Sequence, residues 1–241
     1  MIKLFIIALA ATSVFAITAD DIIKRVDNNL QSDTGYSKID MIMKTKRGTR
    51  TLTLESWNEG TKKSFIKILA PKKDKGITFL KIDTAMWQYV PRIQKTIKIP
   101  SSMMMSSWMG SDFTNDDMAK ESSIIEDYDT KISNETPSSY TLDLIPKEDA
   151  AVVWDKIVFD VTKENFVPLK ATYFDEEGEA VRELLYLDVI KKGTRYFPTK
   201  WEMRSMDKPH NLTTILMKEV VFDIKLDSKM FTKRSLKRMS R

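Results

Sequence analysis

Short segments that alternate between apolar and polar residues follow one another from residue 37 to residue 224. In the first of them Ile39, Met41 and Met43 alternate with polar neighbours, and Arg47-Gly48 then provides a turn. Alternation with a period of two is typical of strands with one buried face, and turns between successive segments favour an antiparallel meander. A twisted sheet of about ten or more strands curls. The pattern therefore predicts a mainly β chain whose curled sheet has a concave apolar face that other elements must cover.

A helix is predicted before the strands begin. Thr18 and Asp21 have the spacing of a capping box, and Ile22, Ile23 and Val26 follow at helical intervals. The predicted helix covers residues 19–31 and has one apolar face. It is the first candidate cover for the concave side of the sheet.

The second candidate cover is the segment 100–118, which reads PSSMMMSSWMGSDFTNDDM. No strand or helix period fits its methionines, and a short helix is expected to start near Thr114. Met is flexible and polarisable, so the segment suits either filling of the core or contact with ligands of variable shape. A connection of this length in a compact domain is typical of a functional loop or lid.

The first residues indicate export. Lys3 precedes an apolar run, and Val14 and Ala16 occupy the positions that a signal peptidase reads. We therefore expect a signal peptide at residues 1–16 and a single domain at residues 17–241, soluble and periplasmic. The formal net charge is +5, with the signs mixed along the chain, so the balance alone does not indicate nucleic acid.

The residues needed for catalysis or metal binding are scarce. The sequence has no Cys and one His, His210, which follows Pro209 in an expected turn. No nucleophile–base set can be assembled, and no glycine-rich phosphate loop is present. Asp116-Asp117 and Glu176-Glu177 are interpreted as a helix start and a hairpin tip rather than as a hydrolase pair. We expect no enzyme activity, no cofactor and no metal.

The C-terminal residues 229–241 are rich in Lys and Arg. This composition predicts either a solvated terminal helix or a contact with anionic lipid headgroups. The sequence does not decide between the two.

Two motifs together resemble the outer-membrane lipoprotein-sorting (LolA-like) family. The first is W-x-Y-x-P at residues 87–91, and the second is M-G-S-D-F-T-x-x-D at residues 109–117. A late D-S-x-x-F-T at residues 227–232 is similar to the family's C-terminal end. The resemblance covers essentially the whole chain after residue 16.

The resemblance implies an incomplete, half-open antiparallel β-barrel of about 10–11 strands, LolA/LolB-like and covered by short helices. It also implies a non-catalytic carrier that holds the acyl chains of a lipid or lipoprotein in a hydrophobic cavity and moves them toward the outer membrane. Expected partners are that cargo and, transiently, inner- and outer-membrane transport components, with no nucleic acid and no stable membrane span. The alternative is an accessory or sensor protein that binds an envelope partner such as an RND-type exporter.

Apolar and aromatic residues of the two motif regions are the predicted lipid-binding set. The alternative for each is ordinary core packing, and the sequence does not show which face of the 87–89 strand looks inward. The set is Trp87, Tyr89, Met103, Met104, Met105, Trp108, Met109 and Phe113.

Overall fold

Thirteen strands form one antiparallel sheet in the part of the chain that the computed structural model describes, residues 17–119, 127–150 and 152–241. The expected signal peptide, residues 1–16, lies outside the described residues. The strands are β1 (Thr34–Thr45), β2 (Gly48–Glu59), β3 (Lys63–Ala70), β4 (Thr78–Ile82), β5 (Ala85–Val90), β6 (Lys95–Lys98), β7 (Tyr128–Glu135), β8 (Ser139–Pro146), β9 (Lys156–Thr162), β10 (Pro168–Phe174), β11 (Ala180–Lys192), β12 (Arg195–Ser205) and β13 (Leu212–Phe222).

The strand order is β6-β5-β4-β3-β2-β1-β13-β12-β11-β10-β9-β8-β7. The sheet therefore consists of a first meander, β1–β6, and a second meander, β7–β13, joined where β1 pairs with β13. The sheet is open, and β6 and β7 are its two edges. The predicted open, mainly β fold is confirmed. The sheet has 13 strands, more than the about 10–11 implied by the family resemblance.

Three described α-helices lie outside the sheet. They are α1 (Ala19–Leu30), α2 (Asn115–Ala119) and α3 (Lys233–Met239), and 3-10 turns occupy Pro91–Ile93, Ser101–Met103 and Ser228–Met230. The predicted capping box of α1 is confirmed, since Asp21 N donates to Thr18 Oγ1 at 3.1 Å and Thr18 N donates to Asp21 Oδ2 at 3.3 Å. The helix expected near Thr114 is α2.

α1 packs its apolar stripe onto the concave, inner face of the sheet. Ile22, Ile23 and Val26 are buried in the main core cluster. The end of the helix is fixed by Asn29, whose Nδ2 donates to the carbonyls of Asn165 and Phe166 at 2.7 and 3.1 Å. Its Oδ1 accepts from Tyr196 N at 2.9 Å. These bonds join α1 to the second meander.

α3 packs on the opposite, outer face of the first meander. There Phe231 and Leu236 are buried against Phe65, Leu80 and Tyr89 in a second, smaller core cluster. Thr78 Oγ1 donates to the carbonyl of Leu236 at 2.8 Å. The two apolar faces of β3–β5 are therefore both covered, by different parts of the chain.

Candidate functional site

A cavity of about 370 Å³ lies on the concave face of the sheet, bordered by the end of α1 and by α2. This volume falls within the range of roughly 300–1,000 Å³ that is usual for small-molecule sites. The first meander supplies an aliphatic wall that includes Ile39, Met41, Leu54 and Ile66. The cavity thus offers space for a ligand-sized group on this face of the sheet.

The second meander supplies an aromatic wall. Trp154 stacks edge-on against Tyr173, with ring centroids 5.4 Å apart, and Tyr186 does the same against Trp201 at 5.4 Å. Burial raises the pKa of the Tyr173 and Tyr186 hydroxyls, so both phenols stay neutral at ordinary pH. The wall presents large, uncharged surfaces to whatever occupies the cavity.

The strongest polar feature of the cavity is an ion pair between Arg182 and Asp117. Arg182 in β11 is 4% exposed, and its two terminal nitrogens donate to the two Asp117 oxygens at 2.7 and 2.6 Å. The guanidinium also lies over the rings of Trp154 and Tyr173, 4.2 and 4.3 Å from their centroids. Burial opposes the charge, but the hydrogen bonds and charge of Asp117 raise the pKa of Arg182 above its ordinary value. The pair neutralises both charges beside a mostly apolar space.

Asp117 also caps the first turn of α2 together with Thr114, so the ion pair ties this helix to the sheet. Its Oδ2 accepts from Thr114 N at 2.7 Å, and Asp117 N donates to Thr114 Oγ1 at 3.0 Å. This reciprocal cap satisfies backbone donors that the helix start would otherwise leave unpaired. Because Asp117 serves both contacts, the ion pair fixes the position of α2 at the edge of the cavity.

The segment 107–114 before α2 is a tight loop rather than an irregular one. Trp108 N donates to Phe113 O at 2.8 Å, and Ser107 pairs with Thr114 in an isolated β-bridge. At the tip Met109 and Gly110 both have positive φ, 53° and 85°, a conformation that Gly adopts without steric cost. Met109 is held in this conformation by a hydrogen bond that Arg50 Nη1 donates to the Met109 carbonyl at 2.9 Å.

Polar contacts to the sheet hold this loop from outside as well. Thr213 Oγ1 in β13 donates to Asp112 Oδ2 at 2.7 Å and accepts from Asp112 N at 2.9 Å. Arg50 itself pairs with Asp74 at 2.7 Å. The second cover of the cavity is therefore attached to both meanders through hydrogen bonds and ion pairs, in addition to the apolar packing of Trp108 and Phe113 in the core.

The residues predicted from this segment fall into four groups. Phe113 lines the cavity, whereas Trp108 is fully buried and packs on Phe79 with ring centroids 5.1 Å apart. Met104 and Met109 are partly buried against the main core. Met103 and Met105 are 47% and 46% exposed and lie outside the cavity. The methionine run thus both fills the core and forms an exposed surface beside the cavity.

The expected place of Trp87 and Tyr89 at the cavity is corrected by the structure. Both belong to the outer-face cluster that α3 covers, where Tyr89 is buried and Trp87 packs against the cluster. The physical reason is that β4 and β5 are apolar on both faces, and their inward positions are taken by Phe79 and Met86.

Sequence reasoning missed Arg182 and the aromatic wall. One signal was available: Arg182 alternates with Leu184 and Tyr186 on the face of β11 that lines the cavity. A charged residue at an inward strand position requires a partner. The partner, Asp117, is remote in sequence and could not be identified from spacing.

No group of three or more His, Asp or Glu that could hold a metal occurs among the described residues. Within those same residues, none of the helices has the length and apolar character needed to cross a bilayer.

Comparisons with solved structures show the fold. A DUF1329 family protein from Desulfovibrio piger superposes with a TM-score of 0.82 at 21% identity, over 90% of this chain and 96% of that one. An outer membrane lipoprotein-sorting protein domain from Vibrio parahaemolyticus gives 0.79 at 19% identity, over 90% and 97% of the two chains. A LolA superfamily protein from Nitrosomonas europaea gives 0.77 at 20% identity, over 91% and 100%.

The sequence comparisons are less informative about activity. No curated protein matches the chain. A family model described as an uncharacterized protein matches residues 60–238, well over half of the chain. The chain therefore belongs to that uncharacterized protein family, and it has the fold of LolA-superfamily proteins.

Proposed function

We propose that this protein is a soluble periplasmic carrier that binds an acyl chain of a lipid or lipoprotein in the cavity between α1, α2 and the sheet. The observation that carries the proposal is the cavity itself, about 370 Å³ with aliphatic and aromatic walls. The likeness in fold to a LolA superfamily protein and to an outer membrane lipoprotein-sorting domain supports it. Transfer toward the outer membrane, a signal peptide at residues 1–16 and a single domain at residues 17–241 are parts of the same proposal.

The physical need for such a carrier is the cost of exposing hydrocarbon to water. An acyl chain outside a membrane costs about 0.8 kcal/mol for each exposed CH₂ group. Walls of aliphatic and aromatic side chains offset that cost without specific hydrogen bonds. Such binding fits a cargo that is defined by its hydrocarbon rather than by its polar end.

The polar contacts of the second cover offer a way to admit and release the chain. Loop 107–114 and α2 are held by Arg182–Asp117, Thr213–Asp112 and Arg50 rather than by deep apolar burial alone. Such contacts can exchange for water when α2 moves, while Trp108, which is fully buried, anchors the loop to the core. We infer that this cover is the one that moves, with Phe113 in contact with cargo and Met103, Met104, Met105, Trp108 and Met109 forming the hinge and rim.

Arg182 has one further property that bears on cargo. Its Nε is buried and has no hydrogen-bond partner in the described part of the chain. An unpaired buried donor costs stability, so an ester or amide carbonyl at the end of the acyl chain would gain a hydrogen bond there. In this proposal the protein is a binding protein and not an enzyme.

The test is native mass spectrometry of the processed protein from its own periplasm, followed by organic extraction. We expect a bound species that carries at least one acyl chain. A cavity-blocking variant, Ala171→Phe, should lose it, because Ala171 is 2% exposed and lines the cavity. The matched control is Ala85→Phe at the start of β5, outside the cavity, which should retain the cargo.

Two outcomes would contradict the carrier. One is a folded wild-type protein without acyl species and without affinity for added fatty acid or lipoprotein. The other is equal binding by the Ala171→Phe and Ala85→Phe variants. Stable recovery with an envelope protein but no lipid would instead favour an accessory or sensor role, such as service to an RND-type exporter.

A further inference from the structure

We propose that one corner of the molecule, remote from the cavity, docks on an anionic phospholipid surface. This corner consists of Lys72, Lys73, Lys75, Arg92, Lys95 and Ile93, and we call it the basic corner. Each of these residues is exposed. The proposal concerns another surface than the cavity, and it stands or falls independently of the carrier function.

Strand direction brings these residues together from separate parts of the chain. In an antiparallel meander the β3–β4 and β5–β6 connections lie at the same end of the sheet. The two connections and the C-terminus touch: a β-carbon at Gly76 would lie 3.3 Å from Pro91 Cγ and 2.5 Å from the Ser240 carbonyl. Lys67 Nζ also donates to the carbonyl of Arg241 at 2.9 Å. The basic side chains therefore form one surface.

The charge of this surface is almost entirely of one sign. The single carboxylate in the two connections is Asp74, and it already pairs with Arg50 at 2.7 Å. Positive charge continues onto the outer face, where Lys98 Nζ and Lys233 Nζ lie 6.0 and 4.6 Å from the centroid of the Trp87 ring. Several unpaired lysines near one another attract an anionic bilayer with an additive effect.

Charge is segregated along the sheet, which orients the molecule. The β10–β11 connection lies at the same end of the sheet but several strands away, and it carries exposed Glu176, Glu177 and Glu179. An anionic surface would therefore attract one half of this end and repel the other. An approach through the basic corner satisfies both conditions.

Protection of an edge strand does not account for the pattern. Lysines on edge strands prevent unwanted pairing, but Lys72, Lys73 and Lys75 lie in a connection and not on an edge. The opposite edge strand, β7, carries exposed charges of both signs, Asp129, Lys131 and Glu135. Charges of both signs are therefore enough to protect that edge from pairing, and a purely basic surface is not needed for this purpose.

Apolar side chains among the lysines favour a membrane over other anionic partners. Ile93 is 55% exposed and Ile97 is 42% exposed, next to Arg92, Lys95 and Lys98. Basic residues beside exposed aliphatic ones match a surface of charged headgroups over hydrocarbon. A phosphate backbone of nucleic acid would use the lysines and leave the isoleucines in water.

The experiment is sedimentation of the processed, cargo-free protein with phosphatidylcholine vesicles that contain or lack phosphatidylglycerol. We expect binding only with phosphatidylglycerol, and weaker binding as salt rises. The variant K72E/K73E/K75E should bind at least about tenfold more weakly, given roughly fivefold for each basic residue near an anionic surface. Ile93→Ser should weaken binding severalfold at unchanged charge.

The matched control reverses three exposed lysines elsewhere, K24E/K131E/K191E, for the same change in net charge. It should bind nearly as well as the wild type. Thermal unfolding of each variant shows whether the fold is retained. Equal losses in the two triple variants, equal binding to both vesicle types, or tighter binding to a DNA duplex than to vesicles would overturn the proposal.

Discussion

The first meander is covered on both of its faces, and the two covers are built differently. On the outer face α3 and the preceding 3-10 turn bury Phe231 and Leu236, which are 5% and 0% exposed, among aromatic and aliphatic side chains. On the inner face α2 and its loop are held by Arg182–Asp117, Thr213–Asp112 and Arg50, and they border a cavity. The outer cover is attached chiefly by hydrocarbon. The inner cover combines the buried Trp108 with polar contacts, and it borders the cavity.

The attachment sets the cost of opening each cover. Separating the outer cover exposes buried hydrocarbon, which costs about 25 cal/mol for each Å². On the inner face Trp108 anchors the loop in the core, whereas α2 is held by hydrogen bonds and an ion pair that exchange for water at a net cost of about 1–3 kcal/mol each. The following measurements test this difference between the two covers.

Truncating the outer cover should cost the most stability. Phe231→Ala is expected to lower the free energy of unfolding by about 3–5 kcal/mol, because it leaves a hole in a closely packed cluster. Urea unfolding measures this. Met230→Ala, at a half-buried neighbour, is the control and should cost much less. A loss below about 1 kcal/mol for Phe231→Ala would mean that the outer cover is no firmer than the inner one.

Breaking the polar attachment of the inner cover should be next in size. Arg182→Met leaves the Asp117 carboxylate without its partner and should cost about 3 kcal/mol, the low end for buried pairs since the Asp117 side chain is 19% exposed. Amide hydrogen exchange in residues 107–118 should speed up, while exchange in α3 should not change.

The double variant Arg182→Met/Asp117→Leu is the informative partner of that experiment. Replacing both charges with apolar groups removes the unpaired carboxylate, so much of the lost stability should return. Strictly additive losses would show that the two residues do not act as a pair.

The third prediction, the smallest in size, concerns the change in protein stability with pH that arises from Asp27 in α1. Burial raises the pKa of Asp27 to about 6, compared with about 3.9 in an unfolded chain. The folded state then binds a proton more tightly, so this group's contribution to stability falls as pH rises from about 4 through 6. Asp27→Asn should therefore stabilise the protein at pH above 6 by about 1–2 kcal/mol, and little at pH 4.

Thermal unfolding at several pH values checks this prediction. α3 carries no Asp or Glu, so no pH-dependent contribution to stability of this kind arises from that helix. An unchanged difference between Asp27→Asn and the wild type at every pH would show that the carboxyl is hydrated in the folded protein.

The sequence predicts the fold well because strand alternation is a local signal. Each expected strand segment in the described chain pairs with its neighbour, and the capping box at Thr18 and Asp21 forms as predicted. When both faces of a strand are apolar, the local pattern does not show which face points toward the inside of the sheet. Leu80, Trp87 and Tyr89 alternate with Phe79 and Met86 on β4 and β5, and only the position of α3 identifies the outer set.

The composition of the cavity wall depends on residues that are far apart in the sequence. Phe113 lines the cavity, whereas the rest of the wall includes residues of β9–β12, far along the chain. The pairing of Arg182 with Asp117 spans 65 residues of sequence. Contacts of this kind depend on the tertiary arrangement, which spacing within one segment does not encode.

The pairing of β1 with β13 has a consequence for the order of assembly. Every other ladder joins strands that are consecutive in the described chain, so each meander can form from local hairpins. The seam between them joins Gly35 to Phe222 and Lys44 to Leu212. In a chain that is synthesised from its N-terminus, one side of β1 keeps unpaired amides and carbonyls until the last strand has been made. A truncation before residue 212 would therefore leave the two halves of the sheet without the strand that joins them, and β1 would stand as an exposed edge ready to pair with another molecule.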